Sequence, residues 1–319
     1  FKNFKLIDRI LTRLEILILG KSKNYDNFFL KHKIDFVSHF NPLGRKSKIN
    51  SFCWIPDFQE IHYPKYFTIR QLILRRLNLF YNILNSTKII LSSNTVKKDL
   101  KKIIKVDDEK LFVHPFYFKN YPLSKIIKFK ALNKKFKIKK NYFFLPNQYW
   151  PHKNHMLVLK AIHYLLNNKK ISLNIVSTGY NYVRKSKKYF QQIMDYRNKN
   201  NLKVNYKYLG IVSEKELYSL IYHSIATINP SFFEGWNTSV MQVKSLNKSI
   251  ILSNISSHLE QKDKNCVYFK NGDYKSLVKK IQNFKSNKIY ENKLMNKKNF
   301  YNYGKKYIEL VNKIFKKNT

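Results

Sequence analysis

Acidic residues are scarce in this sequence. There are 19 Asp and Glu against 62 Lys and Arg, a formal net charge of +43. Such an excess invites a nucleic-acid or anionic-surface partner. Arginine is scarce as well: only eight of the basic residues are Arg and 54 are Lys. Arg is the side chain suited to bidentate recognition of phosphates and base edges, and no recognition helix or RNA-module motif accompanies the lysines. They are spread through every segment together with Asn, Ile, Tyr and Phe, whose codons are rich in A and T. Genome composition accounts for most of the charge, and attraction to an anionic membrane surface comes next. Nucleic acid is the least supported partner.

Cysteine is nearly absent. Cys53 and Cys266 lie far apart in the chain, which argues against a disulfide framework and a cysteine metal site and fits a reducing, cytoplasmic setting. Long apolar runs are missing too. The densest early one, "LEILILG" (14–20), is far short of the roughly 18–20 residues of a membrane span. The chain opens on Phe1 without the layout of a signal peptide, and a first residue other than Met points to a true N-terminus further upstream. What remains is globular: 44% hydrophobic and 16% aromatic residues over 319 positions, enough for two domains with separate cores.

Short β-type runs recur at 33–40, 51–56, 88–93, 110–116, 141–146, 172–179, 204–210, 225–230, 249–254 and 265–270. Helical spacing of apolar residues appears between them at 153–166, 213–224, 238–246 and 273–284. Ser213 followed by Glu216 predicts a capping box. Strands alternating with helices predict parallel sheets covered on both faces. Residues 1–120 read as a partial first domain, because no strand, glycine turn and helix open it. Residues 121–140, lysine-rich and aperiodic, read as a linker. Residues 141–290 form a complete second α/β domain, and 291–319 a C-terminal helix that could cross back to the first.

With only seven glycines, each placement carries information. Ligands of open α/β sheets bind at the carboxyl ends of the strands, and three segments follow predicted strands: "NQYWPHKNH" (147–155), "STGY" (177–180) and "FFEGWNTSV" (232–240). Lys153 begins a helix, where backbone N–H groups and the helix dipole favour an anion; taken alone, it is one surface lysine among many. Gly235 permits close approach of a ligand or an unusual backbone conformation. Asn237 or Thr238 can cap the next helix. Glu234 beside them is either a carboxylate satisfying that helix start or an acceptor for sugar hydroxyls. His152 and His155 flank Lys153 without an acid nearby, so a metal site is not expected.

Taken in order, "PNQYWPHKNHMLVLKAI", "STGY" and "YLGIVSEKELYSLIYHSIATINPSFFEGWNTSVMQVKSLNKSIILSNISSHLEQ" resemble the donor-binding half of retaining glycosyltransferases of family four. The resemblance is to the group with the two-domain GT-B fold, and within it to bacterial members described as mannosyltransferases. Upstream, "WIPDFQEIHYP" (54–64) and "ILSSNTVKKDL" (90–100) match the same subgroup, so the likeness runs from about residue 30 to the C-terminus. It implies an α/β fold of two Rossmann-like, doubly wound domains facing a cleft, the first of them truncated here. It implies that Lys153 and Glu234 are catalytic, Lys153 neutralising the departing diphosphate and Glu234 holding donor-sugar hydroxyls. Gln148, Gly179, Gly210, Ile211, Gly235, Trp236, Asn237, Thr238 and Gln242 would line the donor site, with Gly210 and Ile211 near the base. Asp57, Gln59 and His62 would line the acceptor side. Gln242 stands where the family has a second glutamate, Gln148 where it often has Arg, and Glu60 where the subgroup has His. The N-terminal glycine loop is absent.

The expected activity is metal-independent, retaining transfer of a hexose, such as mannose, from a GDP- or UDP-linked donor. The acceptor would be a glycan or lipid-linked glycan of a bacterial envelope polysaccharide. The protein would need no further cofactor and would work in the cytoplasm, in peripheral contact with the anionic inner face of the plasma membrane. The alternative is a non-catalytic sugar-nucleotide or glycan-binding protein.

Overall fold

β-branched and aromatic runs bounded by turn residues become short strands, and every one of the ten expected runs yields one. The structure, a computed structural model, describes residues 6–181, 184–284 and 297–317. The chain divides into two units, Phe1–Pro115 and Phe116–Thr319.

The first unit holds α1 (Leu6–Leu19), α2 (Lys23–Lys31), β1 (Phe36–Ser38), β2 (Asn50–Ile55), α3 (Gln59–His62), α4 (Ile69–Asn85), β3 (Lys88–Leu91), α5 (Asn94–Ile103) and β4 (Leu111–Val113). Its four strands pair in parallel in the order β1-β2-β3-β4. Ile55, Ile89 and Leu91 from the sheet pack with Leu79 and Ile83 of α4 and with Val96 and Leu100 of α5. Phe29 of α2 packs with Leu43 and Ile49 in a smaller cluster.

The second unit holds α6 (Phe129–Phe136), β5 (Phe143–Pro146), α7 (His155–Lys169), β6 (Ile175–Thr178), α8 (Arg184–Lys199), β7 (Tyr206–Tyr208), α9 (Glu214–His223), β8 (Thr227–Asn229), α10 (Thr238–Ser245), β9 (Ile250–Ser253), α11 (Ser256–Glu260), β10 (Cys266–Phe269), α12 (Tyr274–Gln282) and α13 (Lys297–Lys317). All six strands are parallel, in the order β10-β9-β8-β5-β6-β7. Successive strand residues face opposite sides. Phe143, Leu145, Ile175 and Ile251 therefore meet α7, α8 and α12 on one face. Phe144, Val176, Ile250 and Leu252 meet α6, α9 and α10 on the other. That is a doubly wound sheet. The segment 121–140, expected as a linker, includes α6, and its Leu132 and Ile138 are buried in this second cluster. Residues 285–290 of the expected second domain and 291–296 of the expected C-terminal helix lie outside the described residues.

Reading outward from β5, the chain first builds β6 and β7 on one side. It then returns to place β8, β9 and β10 on the other. This is the strand order of dinucleotide-binding sheets, and its reversal falls between β5 and β8. Loops that leave adjacent strands in opposite directions open a crevice at their carboxyl ends. Lys153 and Glu234 follow those two strands.

Candidate active site

After β5 the chain runs through Asn147–Trp150 into a 3-10 turn, Pro151–Lys153. Asn154 ends that turn in the left-handed conformation (φ 54°) and starts α7 without a side-chain cap hydrogen bond. After β8 the chain runs from Pro230 to Asn237, where α10 begins. Two hydrogen bonds tie the loops together. Asn229 Nδ2 donates to Asn147 Oδ1 at 3.3 Å, and Phe232 N donates to His152 O at 2.7 Å. Between them Lys153 Nζ donates to both oxygens of Glu234, at 2.6 and 2.8 Å.

Glu234 is 8% exposed. Burial pushes its carboxyl up, but the Lys153 ammonium outweighs it and holds Glu234 below the usual carboxylate value. Burial drives the neighbouring imidazoles down, to about 4 for His152 and His258 and about 3 for His155. All three are neutral near pH 7. His155 Nε2 lies 3.2 Å from Asn147 O and so carries its proton there. Its ring stacks on Tyr149 at 4.0 Å. Both histidines beside Lys153 are thus neutral neighbours of a charged pair. The local charge is set by one ammonium and one carboxylate.

Asn237, rather than Thr238, caps α10: its Oδ1 accepts from Val240 N at 3.3 Å, while Thr238 is exposed as the first helical residue. Asn237 Nδ2 reaches Glu234 Oε1 at 3.3 Å and His258 Nε2 at 2.9 Å. Gly235 is buried between them. Trp236 Nε1 donates to Phe116 O at 3.0 Å. Gln242 lies half-buried in the second turn of α10, where its carbonyl accepts from Ser245 Oγ at 2.7 Å.

Gln148 is exposed, its Oε1 accepting from Trp150 Nε1 at 2.9 Å. Gly179, at φ 143°, follows β6 and donates its N–H to Gly210 O at 3.0 Å. A Cβ on Gly179 would stand 2.1 Å from Asn147 O, so only glycine lets these strand-end loops approach so closely. Gly210, at φ 78°, has open space around it, and Ile211 beside it is 61% exposed. The expected donor-side residues thus come from the loops after β5, β6, β7 and β8 and from the start of α10.

The three expected acceptor-side residues lie in the first unit. Asp57 Oδ1 accepts from Gln59 N at 3.1 Å and so starts α3. His62 Nε2 lies 2.6 Å from Asp99 Oδ2, a carboxylate buried at the 4% level. Glu60 pairs with Arg75 at 3.3 Å.

Sequence reasoning missed His258, Gln261, Asn147 and Asn229. The first two stand in the resembling stretch "SSHLEQ", but nothing in their spacing reveals that α11 folds back against the start of α10. Asn147 and Asn229 sit at the ends of predicted strands, which is the only signal they give.

Residues 128–306, more than half of the chain, match the family model for glycosyl transferases group 1. No curated protein matches the chain. Among solved structures, a glycosyltransferase from Rickettsia africae ESF-5 superposes with a TM-score of 0.61 at 15% identity, over 88% of this chain and 72% of that one. Anabaena HepE in complex with UDP-glucose gives 0.64 at 13% identity, over 81% and 70%. A UDP-forming trehalose-phosphate synthase from Burkholderia xenovorans gives 0.66 at 12% identity, over 97% and 80%. At such identities these likenesses establish the fold, two parallel α/β sheets of the GT-B type. With the matched family model added, the chain belongs to the group 1 glycosyltransferases.

Proposed function

We propose that the second unit binds a nucleotide diphosphate sugar at the ends of β5 and β8, and that the chain transfers its hexose with retention of configuration. The observation that carries this reading is the pair of half-buried Lys153 and buried Glu234 at the reversal of the strand order. A pair with only a surface role would have no reason to sit there, because holding the Glu234 charge out of water costs on the order of several kcal/mol. A donor explains the arrangement. Its diphosphate draws Lys153 and the uncapped first turn of α7, and its sugar hydroxyls donate to the carboxylate that Lys153 releases. As the bond to the sugar breaks, negative charge grows on the diphosphate, where Lys153 is already in place. The acceptor hydroxyl attacks from the face that the diphosphate leaves and passes its proton to an oxygen of that departing diphosphate, so no further protein base and no resident metal or cofactor enters this reading.

The donor is UDP- or GDP-linked. The UDP-glucose complex of HepE supports UDP, and the subgroup resemblance supports mannose. Asp57, Gln59 and His62 are the candidate acceptor-side residues for a glycan or lipid-linked glycan in bacterial envelope polysaccharide synthesis. Among the described residues no helix is long and apolar enough to cross a membrane. Peripheral contact with an anionic cytoplasmic membrane face is supported by α4, where exposed Ile69, Ile73, Leu74 and Leu77 accompany Arg70, Arg75 and Arg76. Binding to anionic vesicles should then weaken as salt rises, and salt-independent binding would exclude the electrostatic part.

The test is thermal stabilisation by UDP, GDP, ADP and their sugars. Saturating ligand at about 100 times Kd adds about 2.7 kcal/mol. One base should raise the melting temperature, and Lys153→Ala, by weakening the diphosphate about tenfold or more, should cut the rise by about half or more. A cooperatively melting protein that no nucleotide stabilises would refute the reading.

A further inference from the structure

We propose that His258 and Gln261 are positioning residues, which act through Asn237 to hold Glu234 in place for the donor sugar. The proposal rests on the reading of Glu234 as the group that grips that sugar.

His258 is fully buried on α11, 24 residues after Glu234 in the chain. Its Nδ1 faces Ser253 O at 2.9 Å and Ser253 Oγ at 3.2 Å. Ser253 Oγ in turn donates to Ser231 O at 2.5 Å. A carbonyl accepts only, so Nδ1 carries the ring proton. His258 is held neutral by burial, which leaves Nε2 as a bare acceptor. The group it faces at 2.9 Å is Asn237 Nδ2.

That bond decides which way the Asn237 amide points. With Nδ2 toward His258, its second hydrogen reaches Glu234 Oε1 and Oδ1 is left to cap α10 at Val240 N. The main chain of Asn237 is clasped as well: its N–H donates to Gln261 Oε1 at 3.2 Å, and Gln261 Nε2 donates to its carbonyl at 2.9 Å. Capping alone needs none of this, because a serine caps a helix about as well as an asparagine. The amide supplies what serine cannot: an N–H aimed at the carboxylate.

The relay matters most once the donor is bound. In the structure Lys153 occupies both carboxylate oxygens. A diphosphate competes for that ammonium, and Asn237 is then the remaining donor on Glu234 from α10. A carboxylate released by Lys153 without Asn237 would be free to rotate away from the sugar hydroxyls.

The experiment compares the affinity of the 319-residue chain for UDP against UDP-glucose, and for GDP against GDP-mannose. The gain on adding the sugar reports the grip of Glu234. His258→Phe removes the acceptor and should cut that gain about tenfold, the usual worth of a hydrogen bond to a charged group. Affinity for the bare nucleotide should not change. His258→Gln restores an acceptor at the position of Nε2 and should recover most of the gain. Asn237→Ser keeps the cap and should lose the gain as His258→Phe does, which serves if His258→Phe does not melt cooperatively. Combining Asn237→Ser with His258→Gln should cost no more than Asn237→Ser alone. If Glu234→Ala abolishes the gain while His258→Phe and Asn237→Ser leave it intact, the relay is wrong. If Glu234→Ala itself leaves the gain intact, the reading of Glu234 fails, whatever the relay does.

Discussion

Lys153 and Glu234 are mutually dependent. Removing the ammonium leaves a carboxylate that is 8% exposed with a neutral amide as its remaining side-chain donor. Breaking a buried pair from one side costs about 3 kcal/mol or more, so Lys153→Ala should lower stability by that order in a urea titration at pH 7. The pH dependence follows from the direction of the shift. Glu234 is held below its ordinary value of 4.5. The stabilisation it provides is therefore fully present above that value and is lost as pH falls through the lower, folded one. Lys153→Ala should remove this acid-side loss, and a variant with the wild-type stability and acid profile would show the pair to be loose. Both residues were legible in the sequence because each follows a strand and precedes a helix. Their direct bond was not, because 81 residues separate them and spacing carries no information over that range. His258 was illegible for a stronger reason. A buried neutral histidine looks like any other until its two ring nitrogens are assigned partners.

The strand-end loops are held by backbone approaches that glycine alone allows. At Gly179 a methyl group would meet the Asn147 carbonyl at 2.1 Å, and φ is 143°. At Gly210 a methyl group would meet nothing within 4 Å, and φ is 78°. Gly179→Ala should therefore displace the 147–150 loop and cost well over about 2 kcal/mol, whereas Gly210→Ala should cost about 1–2 kcal/mol of backbone strain only. Thermal melts of the two variants separate them, and equal losses would contradict the close approach. The strands were readable because β-branched and aromatic runs leave a compact signature. The capping box of α9 was readable too: Ser213 Oγ accepts from Glu216 N, and Glu216 Oε2 from Ser213 N. The helices of the first unit were harder. α4 has apolar residues on its exposed side, Ile73, Leu74 and Leu77, as well as on its buried side, Leu79 and Ile83, so no single stripe marks it. α6 was hidden by its lysines. It has one fully buried side chain, Leu132, which is too little to show a period.

The strand order of the second unit makes one crevice from loops that the sequence leaves unrelated. Alternation of strands and helices predicted parallel sheets, but it does not say which strands are neighbours. The reversal between β5 and β8 had to be seen. The same assembly buries three imidazoles around the site, and this makes its stability depend on pH. His152, His155 and His258 are held at about 4, 3 and 4 against an ordinary 6.5. Below pH 6.5 the unfolded chain binds protons that the folded chain refuses, so stability falls with falling pH until the folded values are reached. Each histidine contributes up to about 1.4 kcal/mol per pH unit, so three give a slope of roughly 4 kcal/mol per unit at its steepest. Denaturant midpoints at pH 7 and pH 5 should differ strongly, and His258→Gln should remove about a third of the slope. Equal midpoints would mean that these rings are hydrated in the folded protein.

The claim on which the account turns is that Lys153 and Glu234 part when a donor binds, one going to the diphosphate and the other to the sugar. Calorimetric titration with UDP and UMP, and with GDP and GMP, tests it most directly. Lys153→Ala should weaken the diphosphate about tenfold or more, as loss of a charge-assisted contact does, and leave the monophosphate unchanged. Glu234→Ala removes the carboxylate that competes for the Lys153 ammonium, so it should tighten the diphosphate and leave the monophosphate unchanged. A folded Lys153→Ala protein that binds UDP and GDP as tightly as wild type would contradict the account.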